Sequence, residues 1–348
     1  MSDPEGELFI KPCTQREIDF YQSANRRHAD FASIMPVFMG TLALTDTAEL
    51  SSIDEGISIT GTPEGGSDQE STSKPVVEKP QKTDEENIIW KPNKSKKIET
   101  DMSVVLENAT AGFKQPNILD AKLGVRLWAD DAPLQKKQRF DKISSETTHK
   151  NLGFRIAGMR IWKGSDDERE LAAVDGYKTY DKDYGRLHVS DESIVENFRD
   201  FVFNKGRTGI DEELGKAICR GFLRDLRRIE EVLSRHETRM YSASCLFIYE
   251  GDGETLEEAI RKNNDMVTEY EQGVSKPASR SNVRVDSGIC MDDDELADEV
   301  EEASALPKMF DVKLIDFAHA TWTPGQGPDE NSLKGVRSLI RIFEELAV

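Results

Sequence analysis

Two stretches of this 348-residue chain cannot join a packed core, and they dictate how the rest is assembled. Residues 51–100 open in Ser, Gly, Thr and Glu (GTPEGGSDQESTSKP from residue 61) and turn Lys- and Pro-rich towards KPNKSKK at 91–97. Residues 271–307 include, from Met291 to Ala303, eight acidic residues and no basic one. Neither buries enough apolar area to offset the entropy of ordering it. Both read as disordered insertions, the second extended by self-repulsion. The fold must come from the three blocks outside them. The length allows two domains, or one two-lobed domain carrying insertions. A hydrophobic share of 37% and a charged share of 32% fit a real core diluted by such segments.

Within the blocks the patterning mixes strands and helices. ELFIK (7–11), MPVFMGTLAL (35–44), SVVLENA (103–109), NILDAKLG (117–124), GFRIAGMRIW (153–162), SASCLFIYE (242–250) and VKLIDFA (312–318) read as strands. TQREIDFYQSA is helical, with Thr14 and Glu17 at capping-box spacing. A long amphipathic helix is expected from Asp211 to about Glu237, carrying Leu214, Ile218, Phe222, Leu226, Ile229 and Leu233 on one face. NSLKGVRSLIRIFEEL closes the chain as a helix. There is no strict βαβ alternation, so an α+β fold is expected rather than a doubly wound sheet.

The net charge of −20 argues against broad attraction to nucleic acid or anionic membrane, so no direct nucleic-acid partner is expected. A chain this acidic that binds a polyanion must gather its cations in one place. Cys13, Cys219, Cys245 and Cys290 are scattered, without a CxxC pair, which fits neither a zinc site nor a disulfide framework. No stretch reaches the ~18 apolar residues of a membrane span, and MSDPEGELF has no apolar signal core. A soluble, intracellular protein is expected.

The sharpest local pattern is Pro116-Asn-Ile-Leu-Asp120-Ala-Lys122-Leu-Gly124, a PxxxDxKxG sequence. Asp120 and Lys122, two apart on a strand, face the same way. Taken alone, that is the pattern of a structural ion pair. Downstream, Lys136-Lys137-Gln138-Arg139-Phe140-Asp141-Lys142 sets four cations against one acid. Positions 136, 139 and 142 share roughly one face of a helix, which is either solvated or a polyphosphate site. Asp316 ends an apolar strand, where a carboxylate holds a hard cation or starts a turn.

These residues sit in blocks that resemble the inositol polyphosphate kinase family. PxxxDxKxG is its signature, and ELFIKPCTQREIDFYQ, MPVFMGTL, VLENATAGFKQ, KISSETTHKNLGFRIAGMRIW, YSASCLFIYEG and KLIDFAHA follow in the family's order. The details resemble the fungal multikinase group. The resemblance implies a two-lobed α+β kinase with antiparallel sheets. Its ATP-binding lobe would span residues 1–112, and its substrate and metal lobe 113–348. ATP and Mg²⁺ are the implied cofactors, and inositol tris- and tetrakisphosphates the substrates. Inositol hexakisphosphate, phosphoinositide headgroups and, for a non-catalytic form, transcription-factor complexes are the alternatives.

The resemblance also assigns roles. Lys11 would hold the ATP phosphates, with Glu17 orienting it, although a plain capping box accounts for Glu17 equally well. Backbone groups at Glu107 and Ala109 would bond adenine, with Asn108 where relatives usually carry an acid. Asp120 would contact ribose and the acceptor hydroxyl, assisting its deprotonation, and Lys122 would bind phosphate at the reacting centre. Asp316 would bind the metal, with Ser244 adding a hydroxyl. Lys136, Gln138, Arg139, Lys142 and His319 would bind substrate. Relatives carry a strand and a glycine-containing segment before the lysine strand. With Met1 ten residues ahead of Lys11, that unit is expected to be missing, leaving Lys11 on an edge strand. KPNKSKK suggests nuclear import, hence residence in nucleus and cytoplasm.

Overall fold

The computed structural model describes residues 6–43, 100–164, 176–204, 208–271 and 308–348. The two expected insertions, with KPNKSKK and Cys290, lie outside the described residues apart from positions 100 and 271.

Strands β1 (Leu8–Pro12), β2 (Phe38–Ala43) and β3 (Met102–Glu107) form an antiparallel sheet in the order β1-β3-β2. Among the described residues β1 is therefore an edge strand, with Lys11 opposite Val104. Between β1 and β2 run helix α1 (Gln15–Arg27) and the short α2 (Ala29–Ala32). Thr14 starts α1 with extended backbone, its hydroxyl accepting from the Glu17 N–H at 3.4 Å. The apolar face of α1, Ile18, Tyr21 and Ala24, is buried.

The larger sheet contains β4 (Pro116–Leu123), β5 (Phe154–Trp162), β6 (Tyr177–Tyr180), β8 (Ser244–Glu250) and β9 (Phe310–Ile315). Its order is β6-β5-β4-β8-β9, and every pairing is antiparallel. A small ribbon pairs β7 (Thr238–Met240) with β10 (Ala320–Trp322). The remaining helices are α3 (Leu134–Ser145), α4 (His149–Leu152), α5 (Lys182–Leu187), α6 (Ile194–Val202), α7 (Glu212–Arg235), α8 (Gly253–Glu271) and α9 (Glu330–Leu346). Every strand and helix expected from the sequence is present within a few residues of its expected bounds.

Alternation in β4 buries Asn117, Leu119, Ala121 and Leu123 and leaves Asp120 and Lys122 on the other face. The helices α7 and α9 cover the buried face. Phe222 of α7 and Phe343 of α9 both contact Phe247 of β8, with ring centroids 5.2 and 5.3 Å apart. At Gly221 the helix comes so near the sheet that an added Cβ would lie 2.3 Å from the Phe310 ring. Asp211 caps α7, accepting from the Leu214 N–H at 2.8 Å.

Strands β6, β7 and β10 and helices α2, α4, α5, α6 and α8 are additional to those expected from the sequence. The GDGETL segment, too glycine-poor for a nucleotide loop, instead starts α8: the Asp252 carboxylate accepts from the Thr255 N–H at 2.9 Å. Helix α1 packs towards the C-terminal part of the chain, and the Leu314 N–H of β9 donates to the Ile34 carbonyl at 2.8 Å. The N-terminal block is thus tied to the end of β9, where Asp316 sits.

Candidate active site

Strand register lines up the open face of the larger sheet. Lys122 lies opposite Ser244, and Ser244 opposite Ile315, so Asp316 emerges beside them. Asp120 lies opposite Gly158 on β5, where the ladder slips by a residue. A glycine there leaves the space beside the carboxylate without a side chain, and a bulge re-aims its neighbours.

Lys11 reaches into this face from β1. Its ammonium donates to Glu17 Oε1 and to Asp316 Oδ1, both at 2.8 Å. Burial alone would lower the pKa of Lys11; the Asp316 and Glu17 carboxylates overcome that and raise it well above the ordinary lysine value. Glu17 is 1% exposed, and its side chain turns to Lys11, so it serves Lys11 while its backbone serves the cap.

Asp316 ends β9 at φ 68°, in the left-handed region. Burial pushes its pKa up, but the Lys122 and Lys11 ammoniums more than offset this and hold it below the usual carboxylate value. Lys122 stands 3.5 Å from Asp316 Oδ2 and donates to the Ser242 carbonyl at 2.8 Å and to Ser244 Oγ at 3.3 Å. Asp120 is the opposite case. Its Oδ1 is completely buried with no partner among the described residues. Burial raises its pKa, with Lys122 opposing and Asp316 adding to the rise.

The basic helix α3 reaches the same region at one point. Lys136 Nζ is 3.4 Å from His319 Nε2, and His319 Nδ1 is buried without a partner among the described residues. Burial lowers the His319 pKa, and Lys136 and Arg16 lower it further. Gln138, Arg139 and Lys142 are exposed, and Lys142 makes a long 3.8 Å pair with Glu146. Lys137 turns away, donating to the Asp130 carbonyl at 2.8 Å and lying over the Trp128 ring. The helix thus places Lys136 at the centre and Arg139 and Lys142 on an outward face.

At the end of β3, Glu107 pairs with Lys308 at 3.2 Å and Ala109 is buried, its N–H without a partner among the described residues. The Asn108 amide donates to the Gly6 carbonyl at 2.7 Å. A carboxylate could not donate there, which explains the asparagine physically.

Two contributors escaped the sequence reading. Phe9 is 42% exposed and, two residues before Lys11 on the same strand face, offers a ring beside the lysine. Arg16 of α1 pairs with Asp131 at 2.9 Å, joining α1 to the loop before α3. The alternation in LFIK was the available signal for Phe9; Arg16–Asp131 had none.

A nucleotide and a divalent cation fit this donor set. Lys11 and Lys122 are cations, the Ala109 N–H and the Phe9 ring suit a base, and Asp316 is an ionised carboxylate with the Asp120 carboxylate and Ser244 hydroxyl near it. Among the described residues no group of three or more His, Cys, Asp or Glu could hold a metal alone. Phosphate oxygens would have to complete the shell, as is usual for Mg²⁺. Each Asp316 oxygen faces one lysine, Oδ1 at 2.8 Å and Oδ2 at 3.5 Å, which leaves each a second lone pair for a cation. Ser244 is fully buried, and its hydroxyl oxygen accepts from Lys122 at 3.3 Å, keeping one further lone pair.

The comparisons agree with this geometry. The family profile described as inositol polyphosphate kinase matches residues 103–344. Inositol polyphosphate multikinase of Saccharomyces cerevisiae is 30% identical over 371 aligned positions, covering 99% of this chain and 94% of that protein. Inositol hexakisphosphate kinase 1 of Rattus norvegicus is 31% identical over 252 positions, 70% of this chain and 51% of that protein. The crystal structure of the S. cerevisiae inositol phosphate multikinase in complex with ADP and Mn²⁺ superposes with a TM-score of 0.60 at 26% identity. That superposition covers 98% of this chain and 99% of that one. With the signature residues gathered on one sheet face, the family profile matched over residues 103–344 and the S. cerevisiae relative over 99% of the chain, this protein belongs to the inositol polyphosphate kinase family.

Proposed function

We propose that the chain is an ATP-dependent inositol polyphosphate multikinase acting on inositol tris- and tetrakisphosphates. The observation that carries this is the meeting of Lys11, Lys122, Asp120 and Asp316 on one sheet face with a basic helix joined through Lys136 and His319. Such a site can hold two polyanions end to end, which phosphoryl transfer requires.

Lys11, released from one carboxylate, binds the ATP phosphates; Glu17 keeps it on the correct side. Phe9, Glu107 and Ala109 receive the adenine, and Asp120 the ribose and the acceptor hydroxyl. A bound divalent ion, which we assign as Mg²⁺, supplies neutralisation of phosphate charge, with Asp316 as its main protein ligand and Ser244 as a second. The acceptor oxygen bonds to the γ-phosphorus as the bond from that phosphorus to the bridging oxygen breaks. ADP leaves with the electron pair. The hydroxyl proton passes to the Asp120 carboxylate, whose raised pKa makes it a better base than an ordinary aspartate. Lys122 steadies the transferring group, and Lys136, Gln138, Arg139, Lys142 and His319 hold the substrate phosphates.

The functional division runs at residue 112, the smaller sheet with its helices serving the nucleotide and residues 113–348 the substrate and metal. Phosphoinositide headgroups present the same phosphate chemistry and are secondary candidates. We also assign the protein to nucleus and cytoplasm on the KPNKSKK tract; imaging a tagged chain with that tract changed to alanines tests it.

Transfer from radiolabelled ATP to inositol tris-, tetrakis- and hexakisphosphate, with Mg²⁺, tests the main reading. Labelled products from the first two support it. Transfer to the hexakisphosphate alone would move the chain to that neighbouring activity, and transfer to none would leave a binding protein, with transcription-factor complexes as the partners to examine.

A further inference from the structure

Behind the Lys11 contact lies a continuous stack of aromatic rings. Phe317, the residue after Asp316, lies face to face with Phe20 of α1, centroids 5.0 Å and planes 19° apart. Phe20 stacks in turn on Trp322 of β10 at 4.8 Å and 12°. Trp322 stacks on His28 at 4.0 Å and 28°. Phe31 closes the side, edge-on to Phe20 at 5.7 Å and to Trp322 at 5.1 Å. The Trp322 Nε1–H donates to Ser23 Oγ on α1 at 2.7 Å, fixing the rotation of the indole.

Stacked rings are common in cores; what sets these apart is what they carry. Glu17 precedes Phe20 by three residues on α1, so both lie on one side of that helix. Asp316 is bonded directly to Phe317. The two carboxylates that grip Lys11, each at 2.8 Å, therefore sit on the two segments whose rings lie against each other, Glu17 one helical turn before Phe20 and Asp316 next to Phe317. Phe20 and Phe317 are almost fully buried, so neither ring can slide without opening the core. Asp316 itself holds a left-handed backbone, which needs support from its surroundings.

We propose that Phe20 and Trp322 are positioning residues: their stack sets the separation of Glu17 and Asp316, and so the place of the Lys11 ammonium. The kinetic consequence rests on the kinase reading above; the grip on Lys11 does not.

Competitive acetylation of lysines, read peptide by peptide by mass spectrometry, reports that grip without turnover. In the native chain Lys11 should react far more slowly than the exposed Lys142. Trp322→Leu removes the flat ring and its N–H, and should raise Lys11 reactivity relative to Lys142 about tenfold. It should lower kcat by about tenfold with the KM for inositol phosphate unchanged, the scale expected of a small displacement in a reacting site. Trp322→Phe restores a ring and should return both readouts to within about twofold of native. His28→Ala removes only the half-buried outermost ring and should shift both readouts in the same direction by less; it serves where Trp322→Leu does not fold, melting curves being taken throughout.

Unchanged Lys11 protection in folded Trp322→Leu would overturn the proposal, and so would unchanged protection in His28→Ala where the leucine variant is unfolded. Equal labelling of the Leu and Phe variants would do the same. Should labelling change as expected while the native chain transfers no phosphate, the positioning role stands and the kinase reading falls.

Discussion

Asp316 concentrates the residue-scale argument. A non-glycine residue at positive φ costs about 1–2 kcal/mol, and Asp and Asn tolerate it best. Asp316→Asn therefore keeps the backbone and size while removing the charge. The expected outcome is loss of turnover by about 10³-fold or more, since the metal contributes several kcal/mol to phosphoryl transfer, with the fold kept and the melting temperature lowered only by the lost pairing to Lys11 and Lys122. Near-normal turnover would dismiss Asp316 as the metal ligand. His149 makes a different prediction. It is fully buried, and neither ring nitrogen makes a hydrogen bond of normal geometry among the described residues. Burial, with Arg155 nearby, lowers its pKa from 6.5 to about 3. The unfolded chain therefore takes up a proton that the folded one refuses. Stability is fully present above pH 6.5 and falls as pH drops towards 3, by about 1.4 kcal/mol per unit from this one group. Urea titrations at pH 7 and pH 5 should show that loss, and His149→Phe should reduce it. An acid dependence unaltered by the substitution would assign it to other groups.

At the scale of elements, α3 divides its cations between two environments. Lys136 meets His319, whereas Arg139 and Lys142 look outwards, so the helix offers both an inner contact and an outer reach for a substrate with several phosphates. Lys136→Ala with Arg139→Ala should raise the KM for inositol polyphosphate about tenfold or more, charge-assisted hydrogen bonds being worth roughly 1.5–3 kcal/mol each. The KM for ATP should not change. Steady-state kinetics with each substrate varied in turn would decide, and an unmoved inositol phosphate KM would remove α3 from the site. The helix was legible from Lys136 to Lys142 because positions 136, 139 and 142 repeat at helical spacing in a run of four cations against one acid. Helix α8 was not read from the sequence: its apolar positions are few, and it is Asp252 capping its start and the burial of Leu256 and Ala259 that fix it.

The whole molecule brings together residues 305 positions apart, Lys11 and Asp316. A nucleotide bound there touches both sheets, so it should stabilise the chain as a unit. ADP with Mg²⁺ at a hundred times its Kd should add about 2.7 kcal/mol, seen as a higher melting temperature, and the metal-dependent part should vanish in Asp316→Asn. No rise in melting temperature at saturating ADP would count against the nucleotide site. The sequence by itself determined seven of the strands, helices α1, α7 and α9, and the α+β class, and it named the residues that the structure gathers around Lys11, Asp120, Lys122 and Asp316. Hydrophobic period and short motifs are local properties, and PxxxDxKxG, the basic run and the apolar strand ending at Asp316 can each be read within nine residues or fewer. It left open whether Glu17 was a cap or a partner of Lys11, and gave no sign that Arg16 reaches Asp131 or that Phe20 lies on Phe317. Those choices belong to the tertiary structure alone, because each depends on which distant side chains close packing brings within a few ångströms.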